Sequence, residues 1–190
     1  MFETERLLLR PFTEADTAEI YQLVYADADV QKWWSNFNGS LESYRERFRT
    51  GKNWRIEKGF GYWALVRRAD NRLLGLMGFQ NHADENMDWL LMPDGSRNVG
   101  HIPGCVDAEI TYALGQSYWR QGYATEAGRV LLHYGFTEIG IDRVINAISP
   151  DNFGSRNLMT RLGFTFLDTG NPEDVIGLLE NPARLSVVSP

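Results

Sequence analysis

The residues of this chain best placed to do chemistry lie between positions 107 and 159. In VDAEITYAL (residues 106–114) strand alternation sends Val106, Ala108, Ile110, Tyr112 and Leu114 to one side and Asp107, Glu109, Thr111 and Ala113 to the other. Two carboxylates therefore share a face, where they can take up a proton or hold a cation; on an exposed edge strand the same pair is ordinary surface charge. Next comes YWRQGYATEA (residues 118–127), in which a run of good helix formers opens with no Ser, Thr, Asp or Asn before Gly122 to accept from the first free N–H groups. Those groups, at the positive end of the helix dipole, form an anion site that needs no charged side chain. Gly122 permits a tight turn with no Cβ in the way, and Ala124 is the next small residue, so the donors of residues 121–125 stay accessible and a pyrophosphate fits. The spacing by itself is shared with many helices that bind nothing. It is neither a Walker loop, since no Gly-Lys-Ser/Thr follows, nor the three-glycine dinucleotide fingerprint.

Asn152, Ser155 and Met159 form the third group, on one side of a helix at three- and four-residue spacing. If the strands ending near Leu114 and Ser149 are parallel neighbours, both helix starts gather at one edge of the sheet, where α/β proteins place ligands, and Asn152 and Ser155 face that ligand. On the plainer reading Asn152 only caps its helix and Ser155 is a neutral helix residue.

These groups need a scaffold, and the chain alternates strands and helices without internal repeats. Residues 6–12 (RLLLRPF) read as a first strand stopped by Pro11. A helix begins at Thr13, with Thr13 and Asp16 where a capping box stands and Ile20, Leu23 and Val24 as its apolar face. Residues 27–34 and 41–58 read as further helices, the second carrying Arg45, Arg47, Arg49, Lys52, Arg55 and Lys58 as a solvated basic face or a contact for an anionic partner. Strands at 61–67 and 72–80, joined by Asp70 and Asn71, make a hairpin. Residues 81–104 read as a long loop insertion whose patch Trp89-Leu90-Leu91-Met92 covers a substrate or a second subunit, or packs on the body.

After the strand at 106–114 a helix is expected over residues 122–139, with Ala124, Ala127, Leu131, Gly135 and Phe136 or Ile139 on its packing side. Residues 143–149 read as a strand, Pro150 ends it, Asp151 or Asn152 caps a helix running to Leu162, and Gly163 terminates that helix before a strand from Phe164. Residues 175–179 are read as completing the sheet, and the tail beyond Pro182 as loose or crossing to a second subunit, so a homodimer is among the expected arrangements.

Composition limits what this scaffold can be. A chain of 190 residues with 43% hydrophobic content can bury one good core, so one domain over residues 1–190 is expected. The formal net charge of −6 argues against a nucleic-acid binder that neutralises phosphates broadly, and suits a positively charged or amine-bearing partner. Cys105 is the single cysteine, which excludes an intrachain disulfide and a cysteine-rich metal site and fits a reducing, cytoplasmic setting. No apolar stretch approaches the roughly 20 residues that cross a bilayer, and residues 1–10 carry charges where a signal peptide has its apolar region. His82, His101 and His133 lack metal-ligand spacing, so no metal is expected.

The runs AEITYALGQSYWRQGYATEAGRVLLHYGF (residues 108–136) and NAISPDNFGSRNLMTRLGF (residues 146–164) resemble the GNAT superfamily of acyl-CoA-dependent N-acetyltransferases, most nearly the Rim-type branch that acetylates ribosomal-protein N-termini. The resemblance implies an α/β fold with a mixed, mostly antiparallel twisted sheet of about six or seven strands, flanked by helices and holding a central splayed parallel strand pair. It implies acetyl-CoA as cosubstrate and direct transfer to a primary amine, on a peptide N-terminus or a small molecule, in a ternary complex. The family pattern of Arg or Gln, two residues, Gly, one residue, then Gly or Ala lands on Trp119, Gly122 and Ala124, with Trp where other branches have Arg or Gln. By this likeness the N–H groups of Arg120, Gln121, Gly122, Tyr123, Ala124 and Thr125 hold the coenzyme pyrophosphate, and Arg120 adds a charged contact. The main chain of Tyr112, Ala113 and Leu114 pairs with the pantetheine arm, and Asn152 and Ser155 line it. Glu109 is the implied general base, with Asp107 binding the cationic substrate. Where many members carry the tyrosine that protonates the leaving thiolate this chain has Met159, so that role falls to Ser155. A non-catalytic acyl-CoA sensor on the same scaffold, an unrelated nucleotide-binding enzyme and a Cys105 acyl-enzyme are the competing readings.

Overall fold

The computed structural model of the chain describes residues 1–34, 39–50, 59–81, 90–91, 97–98, 107–168 and 175–185. They divide into two compact units, Met1–Gln80 with Thr111–His133, and Asn81–Ile110 with Tyr134–Pro190.

The first unit opens with β1 (Phe2–Glu3) and β2 (Leu7–Pro11), paired antiparallel. Pro11 ends the strand as its missing N–H requires, and Thr13 begins the helical run. The Asp16 carboxylate accepts from the Thr13 N–H at 2.8 Å and from the Thr13 hydroxyl at 2.8 Å, completing the expected box with Asp in the place of Glu. The run itself is less regular than a plain helix: a 3₁₀ turn at Glu14–Asp16, α1 (Thr17–Ile20), and a widened turn at Tyr21–Tyr25 closed by Ala26 N–H on the Tyr21 carbonyl at 2.8 Å. Then come α2 (Ala28–Trp34) and α3 (Leu41–Thr50). The remainder of the helix expected at 41–58 lies outside the described residues. Arg49 bonds Glu14 at 2.7 Å and Arg45 bonds Glu42 at 3.4 Å, so the basic residues of α3 make a solvated, ion-paired face.

β3 (Gly61–Arg67) and β4 (Arg72–Asn81) form the expected hairpin, with Asn71 in the left-handed region of the turn at φ +56°. β3 also pairs antiparallel with β2. Ile20, Val24, Tyr44, Ala64 and Leu76 are fully buried between the helices and these strands.

In the second unit β5 (Leu90–Leu91) and β6 (Arg97–Asn98) form a short antiparallel pair inside the stretch read as a long loop, the rest of which lies outside the described residues. β7 (Asp107–Leu114) begins in this unit and ends in the first, where it is hydrogen-bonded to β4 and is followed by α4 (Tyr123–Tyr134). A widened turn at Gly135–Ile139 extends α4 until Gly140, in the left-handed region at φ +79°, stops it. β8 (Arg143–Ile148) runs parallel to β7, α5 (Phe153–Leu162) follows, and β9 (Thr165–Asp168) and β10 (Val175–Glu180) are antiparallel to each other, with β10 antiparallel to β8. Ile145, Ile176 and Leu178 form its buried cluster, and α6 (Pro182–Leu185) comes after Asn181.

The strand order is β1-β2-β3-β4-β7-β8-β10-β9, mostly antiparallel with one parallel pair, as the resemblance implies. Among the described residues this sheet has eight strands, because Phe2–Glu3 pairs with Leu8 and Leu9, a segment too short for periodicity to reveal. Among the described residues no helix is long and apolar enough to cross a membrane.

Candidate functional site

β7 carries the first candidates. Ala108 and Ile110 are fully buried while Glu109 and Thr111 are half-buried, the alternation that VDAEITYAL predicts. In the first unit the strand ends at Ala113 and Leu114, both buried, with Tyr112 half-buried before them. Their position is set by a very close approach of β4: a Cβ on Gly75 would lie 2.1 Å from the Ala113 carbonyl oxygen, so only glycine fits. The Gly115 N–H then donates to the Leu74 carbonyl at 2.9 Å.

From this anchor the chain makes a 3₁₀ turn at Gln116–Tyr118 and doubles back. The Trp119 indole N–H donates to the Leu114 carbonyl at 2.7 Å, which ties the loop to the strand it has just left. That bond gives Trp119 a physical role, and it engages one of the carbonyls expected to face the pantetheine arm. Arg120 at φ +59° and Gly122 at φ +85° both sit in the left-handed region. The first helical bond of α4 runs from Glu126 N–H to the Gly122 carbonyl at 3.0 Å. Among the described residues the backbone N–H groups of residues 120–125 meet no acceptor. Arg120, Gln121 and Gly122 are exposed and Ala124 and Thr125 half-exposed, so only the Tyr123 side chain turns inward. The opening of α4 is an accessible cluster of donors without a side-chain cap.

Glu126, in the first turn of α4, is held from the chain's start. It accepts from the Thr4 hydroxyl, from Arg6 N–H at 2.9 Å and from Arg6 Nε at 2.7 Å. Burial works to raise its carboxyl, and these hydrogen bonds together with the Arg6 charge outweigh burial and hold it below the ordinary glutamate value.

In the second unit β7 and β8 stay paired through Asp107↔Arg143, Ala108↔Val144 and Glu109↔Ile145. The next rung is made by a side chain: Asn146 Nδ2 donates to the Ile110 carbonyl at 2.7 Å. Asn146 is 6% exposed, and its Oδ1 meets no partner among the described residues. A buried side-chain amide therefore takes the place of a backbone rung just after the last paired residues of β7 and β8.

Asn152 is the N-cap of α5, accepting through Oδ1 from Ser155 N–H at 3.0 Å. The plainer reading of Asn152 is thus met by its oxygen, while its Nδ2 donates to no described residue. Ser155 is half-buried, and Met159 on the same helix face is fully buried and does packing work. Gly163 closes α5 in the left-handed region at φ +94°.

Each unit gathers part of the expected set. The first brings Tyr112, Ala113 and Leu114 together with Arg120, Gln121, Gly122, Tyr123, Ala124 and Thr125 through the Trp119 bond, and the second holds Glu109, with Asn152 and Ser155 joined by the cap. Asp107's side chain, His82, His101 and Cys105 lie outside what is described; His133 is exposed on α4. Among the described residues no cluster of His, Cys, Asp and Glu has the makings of a metal site. Sequence reasoning missed the Arg6–Glu126 pair, whose partners are far apart along the chain. It also passed over Asn146, although a lone amide inside RVINAI was a signal: a polar residue at an apolar strand position asks for a partner.

Residues 6–165 match the sequence model of the acetyltransferase (GNAT) domain. The chain is 27% identical over 165 residues to the uncharacterized N-acetyltransferase YoaA of Bacillus subtilis (strain 168), covering 86% of this chain and 82% of that protein. Its fold superimposes on an acetyltransferase (GNAT family) from Bacillus anthracis with TM-score 0.69 at 21% identity, covering 94% of this chain and 97% of the other. It also superimposes on the ribosomal-protein-S5-alanine acetyltransferase from Vibrio fischeri with TM-score 0.66 at 16% identity, covering 95% and 96%.

Proposed function

Because the chain belongs to the GNAT acetyltransferase family, we propose that it transfers the acetyl group of acetyl-CoA directly to a primary amine, a peptide N-terminus or a small molecule, in a ternary complex. The observation that carries the reading is the run of uncapped, accessible N–H groups at residues 120–125, with Gly122 at φ +85° opening the turn. Such a cradle suits a diphosphate: the donors are already unpaired, the helix dipole favours an anion, and the exposed Arg120 adds a positive charge. The family match runs through both units, which supports one acetyltransferase domain over the chain, and the single Cys105 supports a cytoplasmic setting.

Acetyl-CoA supplies an activated thioester carbonyl. This chain's residues then have three tasks. Tyr112, Ala113 and Leu114 at the end of β7 offer main-chain groups to the pantetheine arm, less the Leu114 carbonyl already bonded to Trp119, and Asn152 Nδ2 is a further donor for that arm. Glu109, half-buried on β7, takes the proton that an ammonium must lose before its nitrogen can attack, directly or through water. Ser155 turns its hydroxyl to the departing thiolate, a task that the buried thioether of Met159 cannot perform. The net charge of −6 favours the approach of a cationic amine.

Calorimetry with acetyl-CoA and a thiol-release assay across peptides with free N-termini, polyamines, amino acids and aminoglycosides test this. Binding with turnover of at least one amine is the expected result. Binding without turnover on any amine leaves the acyl-CoA sensor, and no heat with acetyl-CoA removes the reading altogether.

A further inference from the structure

The start of the chain and the loop that opens α4 are locked by a cluster of polar contacts to which acetyl transfer gives no role. Arg6 sits at its centre. Its Nε donates to Glu126 at 2.7 Å and its Nη1 to the Gln121 carbonyl at 2.9 Å, while the guanidinium carbon lies 4.5 Å from the centre of the Tyr123 ring. A Cβ on Gly122 would stand 3.2 Å from Arg6 Nη2. One side chain thus holds the carbonyl before Gly122, the ring after it and a carboxylate one turn further on.

This hold has two physical effects on the donors of residues 120–125. The peptide unit is planar and trans, so its C=O and N–H point in opposite directions. Holding the Gln121 carbonyl on Arg6 therefore turns the Gly122 N–H the other way, away from the arginine. The second effect is electrostatic. Glu126 puts a carboxylate in the helical turn where the dipole favours an anion, and left unpaired it would repel one. Arg6 neutralises it, and the Thr4 hydroxyl and Arg6 N–H keep it from rotating toward the loop.

We propose that Arg6 is a positioning residue for coenzyme binding: with Glu126 it forms a latch that presents the Gly122 N–H and its neighbours to a diphosphate and cancels the charge that would oppose it. The inference rests on the reading of residues 120–125 as the diphosphate cradle, and its test separates the two.

The measurements are the calorimetric Kd of acetyl-CoA for the wild type, Arg6→Ala, Arg6→Lys and the double variant Arg6→Ala/Glu126→Gln, and kcat/KM with acetyl-CoA and with S-acetylpantetheine, which lacks the diphosphate. Losing a charge-assisted bond and freeing a repelling carboxylate should weaken acetyl-CoA binding roughly tenfold to hundredfold in Arg6→Ala. S-acetylpantetheine turnover should be unchanged. The double variant should recover part of the affinity, because it removes the stray charge; a merely structural clamp would gain nothing from a second loss. Arg6→Lys keeps the charge but cannot make both bonds at once, so it should fall between, and it carries the test should the alanine variant fail to fold. Wild-type affinity in Arg6→Ala or Arg6→Lys, equal losses with both acyl donors, or a double variant no better than Arg6→Ala would overturn the latch. Absence of acetyl-CoA binding by the wild type would instead overturn the cradle itself.

Discussion

Replacing Gly75 by alanine tests the packing on which the end of β7 depends. The added Cβ would lie 2.1 Å from the Ala113 carbonyl oxygen, 2.7 Å from Leu114 Cα and 3.0 Å from the Ala113 carbonyl carbon. Carbon and carbonyl oxygen approach to about 3.3 Å at closest, so β4 and β7 must separate by roughly 1 Å. All three obstacles are main chain and cannot rotate aside. A displacement of that size takes the Gly115–Leu74 hydrogen bond, now 2.9 Å, beyond bonding range. Each buried group so orphaned costs about 1–3 kcal/mol, and Gly75 at φ +156° adds backbone strain for any L side chain. A loss of at least about 3 kcal/mol is expected, near the upper range for single substitutions. Gly140→Ala is the matched control: its φ is +79° and a Cβ there meets nothing within 4 Å, so only the left-handed conformation is penalised, by about 1–2 kcal/mol. Urea melts followed by circular dichroism should place the two variants at least about 1 kcal/mol apart, and thermal melts should show Gly75→Ala lower by several degrees at about 2–4 °C per kcal/mol. Indistinguishable variants would refute the close approach of the two strands, and with it the positioning of Ala113 and Leu114.

Glu109→Gln should cut turnover by roughly 10²–10⁴-fold while leaving the Kd of acetyl-CoA nearly intact; unchanged kcat in the thiol-release assay removes Glu109 from the role of base. Asn146→Ala should destabilise the protein by roughly 1–3 kcal/mol in urea melts by orphaning the Ile110 carbonyl. Asn146→Asp should be worse, because it loses the same donor and also buries a carboxylate against that carbonyl oxygen, and stability unaffected by either change would deny Asn146 that role. The Asp16 carboxyl supplies a pH test. Burial works to raise it, but bonds from Arg10 at 2.7 Å, from the Thr13 N–H and hydroxyl, and the Arg10 charge hold it below 3.8. A depressed value means that the contribution is full above the unfolded value and lost as pH falls through the folded one. Asp16→Asn should therefore cost roughly 2–3 kcal/mol at neutral pH, with the gap to wild type constant above about pH 5 and closing below about pH 4. A gap that persists undiminished at pH 2 would contradict the assignment.

The elements were legible where the pattern is local and strong. The hairpin at Gly61–Arg67 and Arg72–Asn81, the alternation along β7, and the caps of α5 at Asn152 and Gly163 all rest on periodicity or on turn residues that act within a few positions. The basic run on α3 was read from its charge pattern as a solvated face or a contact for an anionic partner, and in its described part Arg45 and Arg49 pair with Glu42 and Glu14. The two-residue β1 and the irregular turn at Tyr21–Tyr25 were not legible, since one is too short for a period and the other differs from an α-helix only in its hydrogen-bond step.

By itself the sequence determined an uncapped helix opening behind Gly122, the carboxylates of β7 and the order of the longer strands and helices, because backbone preference and side-chain alternation are properties of neighbouring residues. The tertiary structure decided what those features rest on. Arg6 reaches Glu126 across 120 positions, Gly75 admits the main chain of Ala113, and Asn146 fills the rung after Ile145 with its own amide. These are contacts between segments distant in the chain, set by strand register and by how closely two backbones can approach, and no local pattern encodes either distance.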